Sequence, residues 1–155
     1  MFKIKSTLTV LCISLGLSAC AFSLASIRPD AERGDPVAQF RMGRAYHLGR
    51  MAHQDQHMAA YWFEKAAAQS YAPGQTGLGY LYLYGLGKKQ DFKKAKRLFE
   101  LADAQDERWD ANNLGEMYYR GIGVPKNKQV AKKYYQKSCD LELQDACDML
   151  AKLQS

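Results

Sequence analysis

Two histidines stand at a spacing that could bind a metal ion, and the residue between them argues against such a site. His53 and His57 are four residues apart, which on one continuous helix would place both imidazoles on the same face. Asp55 lies between them, and an aspartate there is expected to cap the start of a helix. His53 would then lie outside that helix, so we predict neither a metal site nor a cofactor. We interpret the remaining histidine, His47, as a surface or groove residue.

Serine and glycine patterns do not point to catalysis either. The serines after residue 19 begin no S-x-x-K motif, and the sequence contains no G-x-S-x-G motif. These are arrangements in which hydrolases activate a serine nucleophile. The glycines are spread along the chain at a regular period instead of forming a phosphate-binding loop. We therefore predict no catalytic residue and a protein that is not an enzyme.

The first residues have the composition of an export signal. Lys3 and Lys5 precede an apolar stretch at residues 6–16 (STLTVLCISLG), which is typical of a signal peptide and too short to span a bilayer. Residues 17–20 (LSAC) resemble the lipobox of bacterial lipoproteins. The alternative is an ordinary signal peptide that holds a cysteine near its cleavage site.

The resemblance to lipoproteins implies how the N-terminus is organised. Residues 1–19 would be removed as a signal peptide, and Cys20 would carry the lipid anchor. In lipoproteins of this type an aspartate after the cysteine retains the protein in the inner membrane, so Ala21 favours a periplasm-facing place in the outer membrane. Residues 21–30 show no helical stripe, and we predict that residues 20–30 form the acylated cysteine and a short tether.

Two cysteines, Cys139 and Cys147, remain if Cys12 leaves with the signal peptide and Cys20 carries lipid. An even pair in the oxidising periplasm favours a disulfide, and two buried thiols are the alternative. Neither cysteine belongs to a C-x-x-C motif, so we do not expect a zinc site.

The net charge is mildly positive. Removal of residues 1–19 would lower the formal net charge from +6 to +4, because two lysines and no acidic residues leave. The remaining basic residues are scattered apart from a few lysine pairs, which we interpret as solvated helix faces. Together with export, this pattern predicts no nucleic-acid partner.

Several columns of residues recur every 36 positions, in one register and without gaps. They include a glycine column and an aromatic column: Gly43, Gly79 and Gly115, then Phe63, Phe99 and Tyr135. A period of this length predicts stacked supersecondary units, none of which can bury its apolar face alone. Arrays of this kind usually bind other macromolecules.

Each unit carries the local signals of two helices. In the first unit Asp35 and Pro36 fit a helix start, Gly49 fits a helix end, and Asp55 fits a second start. The pattern predicts an all-α fold, an α-solenoid of about three and a half antiparallel helix pairs that repeat every 36 residues. We place the repeat domain at residues 31–155, divided into three units and a capping helix at 31–66, 67–102, 103–138 and 139–155.

The third unit carries the most specific pattern. Residues 112–125 (NNLGEMYYRGIGVP) and 134–137 (YYQK), with Ala131 between them, resemble the Sel-one-like repeat, a helical repeat related to the tetratricopeptide repeat. The resemblance extends over residues 31–155 and implies a solenoid that binds proteins. Met51 departs from the repeat pattern, since the later units have glycine there, so we expect the first inter-helix loop to differ in conformation.

The same unit also resembles the cysteine-rich Sel-one-like proteins. Their repeats carry a disulfide between cysteines with seven residues between them, and Cys139 and Cys147 fit that spacing. The resemblance therefore implies that these two cysteines pair. Some cysteine-rich relatives have been described as binding penicillin or weakly hydrolysing β-lactams, and no nucleophile motif in this chain supports that activity.

A stripe beside the core positions of each first helix varies in residue type between units. Such variation permits partner recognition, and Tyr, Trp and Arg are enriched at interface hot spots. The candidate partner-binding residues are Arg41, Arg44, Tyr80, Tyr84, Trp109, Asn113, Glu116 and Arg120. Packing between units is the alternative role for Tyr84 and Trp109. The helix face with Phe40 and His47 is the next candidate surface.

These observations favour a non-enzymatic, periplasm-facing lipoprotein that holds another protein in a helical-repeat groove as an adaptor or scaffold. Its partners would be that protein and, through the lipid anchor, the outer membrane. One alternative is an immunity protein that neutralises a periplasmic toxic effector such as a phospholipase. A second alternative is a weak β-lactam or peptidoglycan hydrolase.

Overall fold

The chain folds into a row of helices, which we describe from a computed structural model covering residues 24–154. Within that range there are eight α-helices and no strand, as the all-α prediction requires. Their bounds are α1 Leu24–Glu32, α2 Pro36–Leu48, α3 Gln56–Ala68, α4 Ala72–Tyr84, α5 Phe92–Asp103, α6 Arg108–Arg120, α7 Lys128–Asp140 and α8 Gln144–Gln154. None of these helices is long and apolar enough to cross a membrane. The predicted signal peptide and Cys20 lie outside the described residues.

Side-chain caps and left-handed glycines set the helix ends where the sequence predicts them. The second helix of each pair begins after a side-chain oxygen that accepts hydrogen bonds from the first turn, which satisfies otherwise unpaired amides. These N-caps are Asp55, Asp91 and Asn127, and Asp35 caps α2 in the same way. The first helices end at the left-handed C-caps Gly49, Gly85 and Gly121.

Within each pair a glycine on the first helix faces an aromatic ring on the second. A β-carbon built on Gly79 would lie 2.7 Å from Phe99 Cε1, and the same relation joins Gly43 to Phe63 and Gly115 to Tyr135. All three rings are buried. The two recurring columns therefore make one contact, in which absence of a side chain on one helix admits the ring of the other.

Within the first two pairs, an amide contact joins the end of the second helix to the first helix, and it also repeats after 36 residues. Gln69 Nε2 donates to Gln39 Oε1 at 2.8 Å, and Gln105 Nε2 donates to Gln75 Oε1 at 3.1 Å. Gln39 and Gln75 are almost fully buried, and a buried amide is stable only when it is hydrogen-bonded. The third pair has Ala111 and Leu141 at these positions, and Lys137 on α7 forms a salt bridge to Asp103 of the preceding pair.

The structure differs from the predicted tether at the N-terminal end. Residues 24–30 are not an open linker but belong to helix α1, in which Ile27 and Ala31 are buried. They pack with Ala38, Met42 and Trp62 in one hydrophobic cluster. Burial of these apolar side chains against α2 and α3 stabilises a helix that contains a proline, Pro29.

The α1 helix occupies the place of the second helix of a preceding unit. Its connection to α2 has three residues, the length that also joins α3 to α4. Ile27 stands 36 positions before Phe63, so it continues the aromatic column with an aliphatic residue. The predicted unit boundaries at 66/67, 102/103 and 138/139 fall inside the last turns of α3, α5 and α7.

We expected the backbone of the first inter-helix loop to differ from that of the later loops, and it does not. Met51 has φ 67°, close to the values of 63° at Gly87 and 67° at Gly123. The difference lies in what each residue faces. A β-carbon on Gly87 would lie 2.2 Å from Gln56 O, whereas Met51 is 53% exposed. Glycine is needed where the loop lies against the preceding unit.

At the other end, α8 covers the last full pair. Leu143, Ala146 and Leu150 pack against Ala131 and Tyr135. A disulfide joins Cys139 on α7 to Cys147 on α8 across a Cα–Cα distance of 4.8 Å, so the predicted pairing is confirmed. The half-repeat closes the apolar end of the stack, and the disulfide fixes it to α7.

Candidate partner-binding groove

The first helices of the three pairs, α2, α4 and α6, form a groove with a volume of about 340 Å³. Phe63, Thr76 and Gly77 are among the residues that line it. A β-carbon on Gly77 would lie 2.9 Å from Phe63 Cε1, so the absence of a side chain there deepens the groove. The residues that line it are mostly apolar, as is usual for protein-bound ligand sites.

Aromatic side chains from neighbouring helices contact each other along this groove. The rings of Phe40 and Phe63 lie 5.8 Å apart, and Phe40 meets Tyr71 edge-on. His47 meets Tyr80 edge-on at 5.5 Å. Ring contacts of this kind hold large side chains in fixed positions. The aromatic side chains on this side of the groove therefore support one another.

Positive charge lies beside the aromatic wall. The Arg44 guanidinium stands 5.7 Å from the centre of the Phe40 ring, in the geometry of a cation–π contact. His47 Nδ1 is 2.8 Å from Gln56 Oε1, which orients the imidazole. Glu107 lines the far end next to Trp109, which is 48% exposed. The groove can thus contact an apolar segment and also a charged group on it.

The predicted stripe does not form one continuous surface. Arg44, Tyr80 and Trp109 line the groove, together with Phe40 and His47. Part of the predicted stripe and the alternative face with Phe40 and His47 therefore line one groove.

The remaining predicted residues line two other hollows. Tyr84, Asn113, Glu116 and Arg120 line a hollow between α4 and α6, where Arg120 Nη1 donates to Glu116 Oε1 at 2.7 Å. Arg41 lines a third hollow at the N-terminal end of the stack, together with Leu48, Arg50 and Met51. Tyr80 and Tyr84 contact each other with ring centres 4.5 Å apart, and this pair connects the groove to the second hollow.

Sequence reasoning missed one residue behind the groove. Asp110 is fully buried, and Thr76 Oγ1 lies 2.6 Å from its Oδ2 atom. Burial raises the pKa of Asp110 to about 7 although the hydrogen bond from Thr76 lowers it, and the nearby Glu107 and Asp103 carboxylates raise it further. The repeat register held a signal, because the equivalent positions are Ala38, Gly74 and Ala146. A buried carboxylate at a position where the other units have small core residues needs a hydrogen-bonding partner.

The histidines show no catalytic or metal-binding arrangement in the described part of the chain. His47 lies in the groove, and Asp55 caps α3 so that His53 lies outside that helix, as predicted. Across residues 24–154 no group of three or more His, Cys, Asp or Glu side chains converges to hold a metal ion.

Comparison with known proteins identifies the repeat. The Sel1 repeat model matches residues 36–71, 72–105 and 111–143. Proteins built from this repeat act as scaffolds for protein–protein interaction, and the repeat is generally a non-enzymatic fold. None of the curated proteins shows significant similarity to the chain.

Three solved structures are similar over most of the chain. A protective antigen of uropathogenic Escherichia coli with an SLR fold is 32% identical, with a TM-score of 0.79 over 84% of this chain and 28% of its own. A Sel1 repeat protein from Oxalobacter formigenes is 26% identical, with a TM-score of 0.72 over 76% of this chain and 48% of its own. The chain therefore spans about a quarter to a half of these two relatives.

The cysteine rich protein B of Helicobacter pylori is 26% identical, with a TM-score of 0.60 over 78% of this chain and 95% of its own. The similarity to these three structures agrees with the helix pairs and the shared register described above. With Sel1 repeats over more than half of its length, the chain belongs to the Sel1 repeat family.

Proposed function

We propose that this protein is a lipoprotein of the outer membrane, anchored through Cys20, that holds a segment of another periplasmic protein in the groove of α2, α4 and α6. The observation that carries the proposal is the ordered aromatic wall beside an exposed arginine. Tyr80 is 40% exposed although it contacts His47. Large aromatic side chains exposed in a concave site are characteristic of interface hot spots.

The groove suggests the chemistry of the partner segment. Its walls offer apolar area from Phe40, Tyr80 and Trp109, which an amphipathic or extended segment can cover with two or three apolar side chains. Arg44 at the edge can pair with a carboxylate, and arginine does this in a bidentate geometry. We therefore expect a partner segment that carries apolar residues next to an acidic one.

Affinity capture tests this proposal. The tagged full-length protein is expressed in its own bacterium and purified from the envelope, and co-purified proteins are identified by mass spectrometry. A partner should be captured by the wild type and lost with Tyr80→Ala and Arg44→Ala. The control is Leu101→Ala on α5, which removes an exposed apolar side chain outside the groove. Equal recovery of every protein by all four forms would contradict the proposal.

The captured protein also separates an adaptor from an immunity role. If it is an enzyme that damages the envelope, its activity should be assayed with and without the lipoprotein. Inhibition at stoichiometric amounts would assign the groove to neutralisation of an effector. Retained activity would assign it to an adaptor role.

A further inference from the structure

One end of the helix stack exposes apolar and basic side chains together. The hollow at the N-terminal end is lined by Arg41, Arg44, Leu48, Arg50 and Met51, and by Ile27 of α1. Leu48 and Met51 are 46% and 53% exposed. Three arginines and no acidic residue line this hollow. Large exposed apolar side chains in a basic setting indicate an interaction surface.

In the later units the preceding helix pair covers the inter-helix loop, and the first unit lacks this cover among residues 24–154. Gly87 lies against the backbone of Gln56, and Gly123 lies against Phe92, so in both units the loop is covered by the preceding pair. Position 50 shows the same contrast. Its counterparts Leu86 and Ile122 pack into hydrophobic clusters, and Arg50 is exposed. In the first unit this surface has no protein cover within the described residues.

The N-terminal end of α1 lies beside the same surface. Leu24, its first residue, packs in the cluster that also includes Tyr46, near the end of α2. Leu24 follows Cys20 by four positions, and four residues span at most about 14 Å. A lipid on Cys20 would therefore hold this end of the stack next to the bilayer.

We propose that the surface formed by Arg41, Leu48, Arg50 and Met51 contacts the anionic phospholipid surface in which Cys20 is anchored. The proposal rests on the lipid anchor of the proposed function. The exposed apolar side chains would enter the interface between head groups and acyl chains, and the arginines would attract the anionic head groups. The contact would orient the stack with its first unit on the membrane and its groove extending away from it.

A single introduced thiol tests the contact. With Cys20 acylated and the other mature cysteines in a disulfide, Met51→Cys provides the one reactive thiol of the mature protein, and Leu101→Cys provides a matched control on α5. The full-length lipoproteins are labelled with an environment-sensitive fluorophore and reconstituted into vesicles of phosphatidylcholine with phosphatidylglycerol. Quenching by a lipid-attached nitroxide should be at least about twofold stronger at position 51 than at position 101. Adding Arg50→Glu should reduce this difference.

The outcomes separate the contact from the anchor. A protein that floats with the vesicles while its label at position 51 remains as water-exposed as the label at 101 overturns the membrane contact and leaves the anchor intact. A protein that does not float overturns both. Shielding at position 51 that disappears when the protein is diluted within the vesicles would show that a second copy covers the surface, and it would also overturn the proposal.

Discussion

Thr76 Oγ1 lies 2.6 Å from Asp110 Oδ2 and 3.0 Å from Ala72 O, so that one hydroxyl proton faces two acceptors. If Asp110 is protonated, its carboxyl group donates to Thr76 and Thr76 donates to Ala72, and both contacts become hydrogen bonds. If Asp110 is ionised, one contact is lost and a buried charge remains. The other carboxyl oxygen, Oδ1, has no hydrogen-bond partner. Burial therefore favours the neutral acid and outweighs the hydrogen bond from Thr76, which lowers the pKa.

We predict that this pair makes stability fall as the pH rises. The pKa of Asp110 is about 7 in the folded protein and 3.8 as the ordinary value. Between these values the unfolded chain has lost the proton and the folded chain still holds it, so unfolding releases a proton. The free energy of unfolding should decrease by about 2–3 kcal/mol between pH 5 and pH 8 through this group alone. Urea unfolding at several pH values measures it.

The Asp110→Asn variant is the matched control for that pH dependence. Asparagine has nearly the same shape, can donate to Thr76 and does not titrate in this range. The free energy of unfolding of the variant should lack this decrease between pH 5 and pH 8, and the variant should be more stable than the wild type at pH 8. An identical pH dependence in both proteins would show that Asp110 is ionised in the folded state.

We predict that Gly87→Ala destabilises the fold and that Met51→Ala does not. Both positions have a left-handed backbone, but a β-carbon at position 87 would lie 2.2 Å from Gln56 O. Relief of that overlap requires movement of α3 and should cost about 2–4 kcal/mol. Met51 already carries a β-carbon, so Met51→Ala should change the free energy of unfolding by less than about 1 kcal/mol. A similar decrease in the free energy of unfolding in both variants would refute our account of the first loop.

We predict that the disulfide stabilises the C-terminal half-repeat. Replacement of Cys139 and Cys147 by serine should lower the free energy of unfolding by about 2–3 kcal/mol, since the bond closes a short loop. Hydrogen exchange of α8 should accelerate before that of α4 or α5, because α8 contacts only one neighbouring pair. Uniform acceleration throughout the chain would argue against a local role for the bond.

We predict that Cys20→Ser prevents acylation. Cells given a tagged fatty acid should label the wild-type protein and not the variant, and only the wild type should fractionate with the outer membrane. Labelling of the serine variant would rule out Cys20 as the anchor. Density-gradient fractionation tests the choice of membrane independently of the labelling.

The sequence predicts the helix pairs well because their determinants are local or periodic. Asp35 and Gly49 act within one turn of the helix that they cap. The contact of Gly79 with Phe99 recurs in each unit, so its columns can be recognised without a structure. The α1 helix is harder to predict because Pro29 and its short length hide the helical pattern. Its link to the repeat is Ile27, one period before Phe63.

The candidate site is less accessible to sequence reasoning. The groove side of α2 is formed by Phe40, Arg44 and His47, a stripe rotated from the predicted one that contains Arg41. That rotation depends on how α2 packs against α4, which the pattern within one unit does not determine. Asp110 was missed because its partner Thr76 is 34 residues away, on another helix.

The most direct test of the central claim is the dissociation constant for the captured partner, measured by calorimetry with wild-type protein and groove variants. Tyr80→Ala and Arg44→Ala should each weaken binding about 5- to 30-fold, which corresponds to about 1–2 kcal/mol. Their melting temperatures should stay near that of the wild type, whereas Gly79→Leu should lower the melting temperature by several kelvin because it collides with Phe99. Leu101→Ala should bind like the wild type. Unchanged affinity in both groove variants would contradict the assignment of this groove as the binding site.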